Sequence, residues 1–369
     1  MEGKNILYIC DYGAGYTGSF IASLSPLSKK AGEKHQVYFL FPEAARGKSW
    51  LSQLPVKEGH LFFSDFSVKS LFKICRKLSG LLHSSETIVH THFVGDFRLL
   101  AVRSAFRNVI CHYHMMVPMG TTIGKKVKQM VRRVIYWKLI VVGVSEAVTK
   151  DAETYFYKTN CECIPNAVDF KMMDHCSAPP YEMADRAGQF HILLHGSDFI
   201  CKGVDLALRA VEELNDQYHD AFHLYMTSNH VEETWNQIRS VIGKPRNITV
   251  VPSLENIKSL YDSMDLYISP SREEAFSYAV VEAAYSGCQV AASDIPGQNT
   301  MKSVPGILWF EKDDIQGLKN AILMAMEVCR SGEAVRIKEK QRDYVTREFR
   351  VETWVDRNIA LYDRFFGTK

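Results

Sequence analysis

The sequence predicts an α/β protein built from two doubly wound parallel sheets, and three observations support this prediction. Short apolar runs alternate with helix-length segments along nearly the whole chain, which is typical of parallel sheets covered by helices on both faces. The alternation stops once, around the Pro179-Pro180 pair, and then restarts. The chain has 369 residues, more than one ordinary domain holds, so we expect each half to form its own domain.

The first half alternates strands and helices from its beginning. Each predicted strand is an apolar run, and turn or capping residues such as Ser145 separate it from the next helix. The predicted strands are 5–10, 36–41, 87–92, 109–114, 139–144 and 161–165. The predicted helices are 18–30, 71–82 and 125–138, with a further helix after Ser145.

The second half repeats this pattern after a predicted linker at residues 171–185. The predicted strands are 191–196, 222–227, 247–251, 266–269, 289–293 and 306–310. The predicted helices are 204–214, 231–242, 257–264 and 276–286, and two helices end the chain, the last at 351–366. Open parallel sheets bind ligands at the carboxyl ends of their strands, so we expect a ligand cleft between the two sheets.

The composition describes a soluble globular protein, with 46% hydrophobic and 23% charged residues. No apolar run is long enough to predict a membrane span, and the chain enters a strand pattern without a secretory signal. The nine cysteines are scattered, and Cys161 and Cys163 are too close together for a zinc-type C-x-x-C pair. We therefore expect reduced thiols and a cytoplasmic location.

Charge is distributed unevenly between the halves. Residues 1–170 hold 22 Lys and Arg against 13 Asp and Glu, whereas the remainder holds 22 against 29. The predicted helix 125–138 is amphipathic and strongly basic, which suits an anionic membrane surface. The predicted surface residues are Lys125, Lys126, Lys128, Arg132 and Arg133. Two interpretations remain: peripheral attachment to the inner membrane face, or a helix packed on the sheet with a solvated basic face.

Two carboxylates frame the turn that follows the predicted strand 266–269. Glu274 and Glu282 would share one helix face if the helix begins near Ala275, about 12 Å apart along the axis. That distance is too great for two carboxylates that flank one bond, but it suits two contacts to an extended ligand. Anionic oxygens could meet the backbone N–H groups at the helix start: those of Phe276, Ser277 and Tyr278.

A glycine-rich run follows the first strand. Gly13 to Gly18 spells G-x-G-x-x-G between a strand and a helix, the arrangement of the dinucleotide fingerprint, and Glu43 could be its ribose acid. Asp11 and Tyr12, however, intervene where that fingerprint runs directly from strand to glycine. The alternatives are a loop that lets a phosphate or sugar approach the backbone, or a plain tight turn.

Four histidines form two H-x-H pairs at neighbouring strand ends. His90 and His92 lie on one strand, and His112 and His114 on the next, so alternation places each pair on one sheet face. No carboxylate or cysteine stands nearby at ligand spacing, so we predict no metal, although a metal site is the alternative. His90 and His112 are expected in the core, whereas His114 is expected to face the cleft.

A lysine precedes the helix 204–214. Lys202 at a helix N-terminus opposes the helix dipole, which indicates that a negative group lies between them, and Gly203 allows close backbone approach. The alternative is a lysine exposed to solvent.

Together these segments resemble the retaining glycosyltransferases of the two-Rossmann-domain (GT-B) type, family 4, also called group 1. The block PSREEAFSYAVVEAAYSGCQVAASDIPG is similar to that family's P-S-x-x-E-G-F-G…E-A-x-x-x-G-x-P-V-x-x-S…G. Further support comes from GSDFICKGVD, VGVSEAVTKD, IPNAVD and the closing helix with Trp354 and Tyr362. The resemblance spans essentially the whole chain.

The resemblance implies a role for each of the residues in the second domain. Glu274 would bind the hydroxyls of the donor sugar and Glu282 those of the ribose. Lys202 and the helix start at Phe276, Ser277 and Tyr278 would hold the diphosphate, which leaves with negative charge. The segment from Val250 to Leu254 would meet the nucleobase.

The resemblance also implies roles in the first domain and its boundaries. His114 would lie near the anomeric carbon and acceptor, and Gly15 beneath the transferred sugar. The last helix would return to the first domain, giving domains 1–170 plus 351–369 and 186–350.

Some positions depart from the family pattern. Ser197 stands where an arginine is frequent, and Cys201 where another basic residue is frequent, so we expect Arg272 to supply the missing cation. Ala275 and Ser277 replace two glycines, but both are small.

The implied function is sugar transfer with retention from a nucleotide diphosphate sugar, UDP- rather than GDP-, to a glycan or lipid-linked glycan in bacterial cell-surface polysaccharide assembly. No cofactor beyond this substrate and no nucleic-acid partner is expected. The alternatives are a nucleotide-sugar epimerase of the same fold, a nicotinamide-dependent oxidoreductase using Gly13 to Gly18, and a catalytically silent sugar-nucleotide binder.

Overall fold

The computed structural model describes residues 4–15, 17–116, 123–156, 159–175, 188–252, 254 and 257–367, without the side chains of 123–126 and 128. The chain divides into two compact units. Unit 1 comprises Met1–Ala167 and Val351–Lys369, and unit 2 comprises Val168–Arg350. The predicted boundary near residue 170 lies close to the observed one.

Unit 1 contains a seven-stranded parallel sheet with the order β3-β2-β1-β4-β5-β6-β7. Its strands are β1 (Asn5–Cys10), β2 (Gln36–Pro42), β3 (Leu61–Ser64), β4 (Thr87–His92), β5 (Asn108–Tyr113), β6 (Ile140–Gly143) and β7 (Asn160–Cys163). Its first helices are α1 (Ser19–Gly32), α2 (Val68–Leu82), α3 (Asp96–Ala105), α4 (Ile123–Ile135) and α5 (Glu146–Tyr155). Ser145 caps α5 by accepting from the N–H of Val148, as predicted.

Unit 2 contains a six-stranded parallel sheet with the order β10-β9-β8-β11-β12-β13. Its strands are β8 (Phe190–His195), β9 (Phe222–Ser228), β10 (Ile248–Pro252), β11 (Leu266–Ser269), β12 (Gln289–Ser293) and β13 (Leu308–Phe310). Its helices are α6 (Phe170–His175), α7 (Val204–Gln217), α8 (Val231–Ile242), α9 (Lys258–Asp262), α10 (Tyr278–Ser286), α11 (Ile315–Ser331) and α12 (Ala334–Glu348). The last helix, α13 (Val351–Gly367), belongs to unit 1.

The strand orders fix where loops can meet. In unit 1 the chain winds outward from β1 in one direction and from β4 in the other, so the topological switch point lies between β1 and β4. The equivalent point in unit 2 lies between β8 and β11. The loops that follow these four strands are therefore the ones best placed to form ligand sites.

The predicted fold class, two doubly wound parallel sheets, is confirmed, while several element assignments need correction. The strand β3 and the helix α3 were not predicted, and the sequence after α10 holds three helices rather than two. Residues 171–175 of the predicted linker are part of α6, because Phe170 is buried and anchors that turn. Residues 176–185 lie outside the described part of the chain.

Candidate active site

Two loops meet at the switch point of unit 2. One connects β8 to α7 and carries Lys202, and the other connects β11 to α10 and carries Glu274. At Gly203, where φ is +67°, an added Cβ would lie only 2.0 Å from the carbonyl oxygen of Pro270. Only glycine permits this approach, which is why the Lys202 loop can lie directly against the Glu274 loop.

The side chains of Lys202 and Glu274 form an ion pair across these loops. The Nζ of Lys202 lies 2.6 Å from Oε1 of Glu274, and the Ser271 hydroxyl donates to the same oxygen at 2.9 Å. The side chain of Glu274 is 10% exposed and that of Lys202 is 30% exposed. The negative group expected near Lys202 is therefore Glu274, and the pair lies at the surface of the site rather than free in solvent.

A second glycine, Gly297, packs against the backbone of Glu274. An added Cβ at Gly297 would lie 1.6 Å from the carbonyl oxygen of Glu274, so the loop after β12 packs on the Glu274 backbone. This contact explains the glycine that ends the sequence block around Glu274 and Glu282.

The helix α10 begins later than predicted, which changes the relation of the two acids. Ser277 is the N-cap and Tyr278 the first helical residue, so Glu274 lies in the preceding loop and only Glu282 lies on the helix. The prediction of one shared helix face is therefore wrong. Phe276 and Ser277 are buried, and binding of an anion by the first N–H groups of α10 stays a prediction.

Glu282 lies beside a buried hydrogen-bond chain that the sequence analysis missed. The Tyr261 hydroxyl lies 3.5 Å from Oε2 of Glu282, and Nε2 of His195 lies 2.7 Å from the same hydroxyl. The other ring nitrogen of His195 lies 2.6 Å from the Thr227 hydroxyl. Burial, assisted by the charge of Lys202, lowers the pKa of His195 to about 4, so the ring is neutral at pH 7. The sequence signal that could have revealed this hydrogen-bond chain was His195, the histidine that ends strand β8.

Arg272, which we predicted to be an additional phosphate-binding cation, is already paired in this structure. Its guanidinium group donates to both oxygens of Asp205, at 2.7 and 2.9 Å, and to Asp313 at 2.6 Å. It also donates to the carbonyl of Ile200, and its own backbone N–H donates to the carbonyl of Cys201. Two carboxylates offset its charge, so Arg272 acts as a clamp that ties the Lys202 loop to the Glu274 loop.

The remaining predicted donor-binding residues are placed unequally. Ser197 and Leu254 are exposed. Val250 is 9% exposed and packs in the hydrophobic core of unit 2, so its side chain is not available to a nucleobase. Contact of a nucleobase with the backbone of the segment from Val250 to Leu254 stays a prediction. In unit 1, an added Cβ at Gly15 would meet no atom within 4 Å, which leaves room beside that backbone.

The four histidines of unit 1 form a buried stack. Nε2 of His90 lies 3.2 Å from Nδ1 of His112, and Nδ1 of His92 lies 3.0 Å from Nε2 of His114. The Tyr362 hydroxyl of α13 lies 2.6 Å from Nδ1 of His90. His90 and His112 are core residues, as predicted, whereas His114 follows β5 and is half-buried.

Burial keeps this stack uncharged. It lowers the pKa values of His90, His92 and His114 well below 6.5 and that of His112 to about 3. Ring nitrogens of His90, His92 and His112 lie within 4.8 Å of one another. Their rings are nearly parallel, however, and both nitrogens of His90 already have hydrogen-bond partners. The absence of a metal at this stack therefore stays a prediction.

The glycine-rich run of unit 1 is held by its neighbours. The indole N–H of Trp50 donates to the carbonyl of Ala14 at 3.0 Å. Glu43, the candidate ribose acid, pairs with Arg46 at 2.9 Å on the surface. Tyr16 lies outside the described residues.

The basic helix α4 has a different orientation from the one its sequence indicated. Arg132 is 5% exposed and its guanidinium donates to Asp96 of α3 at 2.8 Å, so its assignment to a membrane surface is wrong. Arg133 is exposed. The side chains of Lys125, Lys126 and Lys128 lie outside the described residues. Four large apolar side chains of this region are also exposed: Val127, Met130, Val134 and Trp137.

Comparisons with known proteins agree with this architecture. Residues 189–327 match the family model of the group 1 glycosyl transferases. A glycosyltransferase from Rickettsia africae has a similar structure, with 17% identity, a TM-score of 0.77 and full coverage of both chains. Sucrose-phosphate synthase from Thermosynechococcus elongatus is 16% identical, with a TM-score of 0.75 over 99% of this chain and 100% of that chain. No curated protein matches the sequence.

A third similar structure was determined with a nucleotide. The Anabaena protein HepE in complex with UDP is 16% identical, with a TM-score of 0.75 over 98% of this chain and all of that one. Two separate parallel sheets, with a charged pair at the switch point of the second, define a GT-B glycosyltransferase fold. Within unit 2, residues 189–327 are similar to the group 1 glycosyltransferases.

Proposed function

We propose that the protein is a retaining glycosyltransferase that moves a sugar from a UDP-sugar, rather than a GDP-sugar, to a glycan or lipid-linked glycan acceptor in bacterial cell-surface polysaccharide assembly. The observation that carries this proposal is the ion pair Lys202–Glu274, which joins the loop before α7 to the loop before α10. The choice of UDP is supported by the HepE structures determined with UDP and with UDP-glucose.

The charges of unit 2 suit binding of an activated sugar. Lys202 and the first N–H groups of α10 would take the diphosphate oxygens, and they stabilise the charge that grows as this group leaves. Glu274 would then exchange its lysine for a sugar hydroxyl, which donates to Oε1. Because the Ser271 hydroxyl and the contact with Gly297 already hold Glu274 in place, this exchange costs little conformational entropy.

The transfer step balances without a further group. The bond from the anomeric carbon to the phosphate oxygen breaks, and a bond from that carbon to the acceptor oxygen forms on the same face. The acceptor's proton passes to the departing phosphate oxygen. Glu282, placed by Tyr261, would accept from the ribose hydroxyls.

The test is incubation of the purified chain with UDP-, GDP- and ADP-sugars, with and without a panel of glycan and lipid-linked acceptors. We expect acceptor-dependent release of UDP, with the anomeric configuration retained in the product by proton NMR. Inversion would overturn the retaining mechanism, and conversion of the donor without an acceptor would favour the epimerase. Absence of nucleotide release and of UDP binding would overturn the proposal.

We also propose that unit 1 attaches to an anionic membrane surface through α4. Among the described residues, none of the helices has the length and apolar character needed to cross a bilayer. The exposed apolar row of α4, accompanied by Arg133 and the lysines of its first turns, suits the interface of an anionic bilayer.

Sedimentation with anionic vesicles tests this attachment. A triple variant with glutamine at Lys125, Lys126 and Arg133 should bind on the order of 100-fold more weakly, since each cation contributes about 1 kcal/mol. The matched control replaces Lys69, Lys73 and Lys77, three exposed lysines of α2, in the same way. Equal loss in both variants, or none in the first, would contradict attachment through α4.

A further inference from the structure

Four buried polar side chains lie next to the Glu274 loop in unit 2. Ser269 ends β11 and Ser271 follows two residues later, whereas Ser293 ends β12 and Gln298 lies in the loop that follows β12. All four residues are at most 3% exposed. Burial of a polar side chain is unfavourable unless the side chain is hydrogen-bonded, so the partners of these four residues need an explanation.

The hydrogen bonds of these residues lead from Gln298 to Glu274. Nε2 of Gln298 lies 2.7 Å from Oγ of Ser269, and that Oγ lies 3.4 Å from Oγ of Ser271. The Ser271 hydroxyl donates to Oε1 of Glu274 at 2.9 Å. The Ser293 hydroxyl donates to the backbone carbonyl of Ser271 at 2.6 Å, which holds Ser271 in place. We call Gln298, Ser269 and Ser271 the buried polar network.

The contacts of the buried polar network define one direction of donation. The Ser271 hydroxyl uses its proton on Glu274, so Ser271 accepts from Ser269. Nε2 of Gln298 also lies 3.5 Å from the carbonyl oxygen of Ser269, which can only accept, so the amide group donates to Ser269. Donors that follow one another in this way polarise each other, and the amide of Gln298 therefore strengthens the bond from Ser271 to the carboxylate.

Stability alone does not explain the amide of Gln298. Its Oε1 is buried and has no hydrogen-bond partner among the described residues. An unpaired buried oxygen destabilises the folded chain, whereas a methionine of similar size would fill the same space without this cost. The preceding residue, Gly297, contacts the backbone of Glu274. Two successive residues of one loop therefore hold Glu274, Gly297 at its backbone and Gln298 through its carboxylate.

We propose that Gln298 is a positioning residue, which acts through Ser269 and Ser271 to hold Oε1 of Glu274 while Lys202 leaves that oxygen for the diphosphate. The bond from Ser271 stays during this exchange, so the carboxylate keeps its orientation toward the sugar hydroxyl. Without the amide, the Ser269 hydroxyl loses its donor, and the carboxylate gains rotational freedom. This inference rests on the proposed function and deepens it at the same site.

The variant Gln298→Met tests this role, because methionine fills a similar volume but donates no hydrogen bond. With the UDP-sugar that the wild type uses, kcat should fall about tenfold. The Kd of UDP, measured by calorimetry, should keep its wild-type value, because UDP carries no sugar for Glu274 to hold. Ser269→Ala breaks the same hydrogen-bond chain and should give the same result, which keeps the test valid if Gln298→Met does not fold. The double variant should lose no more than Ser269→Ala alone.

The matched control is Gln289→Met, at a buried glutamine of β12 whose amide donates to the carbonyl of Ala325 of α11 instead. This variant should lower the urea midpoint of unfolding and leave kcat unchanged. The positioning role would be overturned by an unchanged kcat in Gln298→Met and Ser269→Ala, an equal loss in Gln289→Met, a parallel rise in the Kd of UDP, or full additivity in the double variant. Absence of turnover and of UDP binding in the wild type would instead overturn the proposed function.

Discussion

The carboxyl edges of the two sheets have similar topologies, but different side chains follow their strands. In unit 2 the loops after β8 and β11 carry charges that are paired with one another: Lys202 with Glu274, and Arg272 with Asp205 and Asp313. In unit 1 the strands β4 and β5 end in four histidines that burial keeps neutral. The difference teaches that the shared fold only places the loops, whereas the residues that follow each strand decide the chemistry.

The physical reason for the difference is solvation. Exposed or half-exposed charges can be held at a loop surface by one partner each, as Lys202 is. Inside the sheet no water solvates a protonated histidine ring. The four histidines therefore stay neutral and interact with one another through hydrogen bonds and ring contacts. We call the loops after β8 and β11 the charged edge, and the four histidines at the ends of β4 and β5 the neutral edge.

The largest effect should come from removing the acid of the charged edge. Glu274→Ala leaves Lys202 without its partner and the donor sugar without its acceptor of hydrogen bonds, so we expect kcat to fall on the order of 1000-fold. The control is Glu273→Ala, which removes the exposed neighbouring acid. Initial rates of UDP release would measure it, and an unchanged kcat would remove Glu274 from the site.

A smaller effect is expected from the lysine. Lys202→Met removes one charge-assisted hydrogen bond to the diphosphate, so the Kd of UDP should rise about 10- to 100-fold. Lys312→Met, at an exposed lysine of the same unit, is the matched control. Calorimetric titration at two salt concentrations gives both values. Equal Kd values for the two variants would mean that the diphosphate lies elsewhere.

Arg272 distinguishes a clamp from a ligand. Arg272→Lys keeps the charge but cannot bond Asp205 through two nitrogens, so the Lys202 loop should lose its position and kcat/KM should fall about tenfold. A phosphate-binding cation would tolerate lysine. The double variant with Asp205→Asn should add little to the loss, because the two residues act as one unit. Full additivity of the two losses would argue against the clamp.

The neutral edge should show itself in the pH dependence of stability, the smallest of these effects. The pKa of His112 is about 3 in the folded chain against 6.5 as its ordinary value, so the unfolded chain binds the extra proton between these values. The free energy of unfolding therefore falls as pH falls below 6.5, by about 1.4 kcal/mol per pH unit for such a histidine.

Urea unfolding at several pH values between 7.5 and 5 measures this slope. His112→Asn, which keeps a group near Nδ1 but does not titrate, should make the slope shallower by that amount. A wild-type slope equal to that of His112→Asn would show that the stack takes up protons while folded.

Much of the fold was predictable because its signals are local. The strands β1, β4, β11 and β12 and the helix α8 have the predicted bounds, since each is a continuous apolar run or a strongly periodic segment. The strand β3 was missed because it is only four residues long and follows a loop rich in polar residues. The predicted start of α10, residue 276, is two residues too early. Phe276 is buried, but it lies in the loop before the helix.

Residue roles that depend on distant partners were predicted less well. Arg272 was interpreted as a ligand because its partners Asp205 and Asp313 stand 67 and 41 positions away. Arg132 was placed on a surface because α4 is both basic and apolar, and periodicity does not say which face a sheet covers. The chain from His195 through Tyr261 to Glu282 joins three separate segments.

The sequence by itself determined the alternation of strands and helices, the two sheets and the resemblance of the second unit to group 1 glycosyltransferases, because these depend on patterns within short windows. The tertiary structure alone decided which charges are paired, which histidines are buried and uncharged, and which aromatic ring stays exposed. Those properties depend on burial and on side chains brought together from distant positions, and neither is written in the local order of residues.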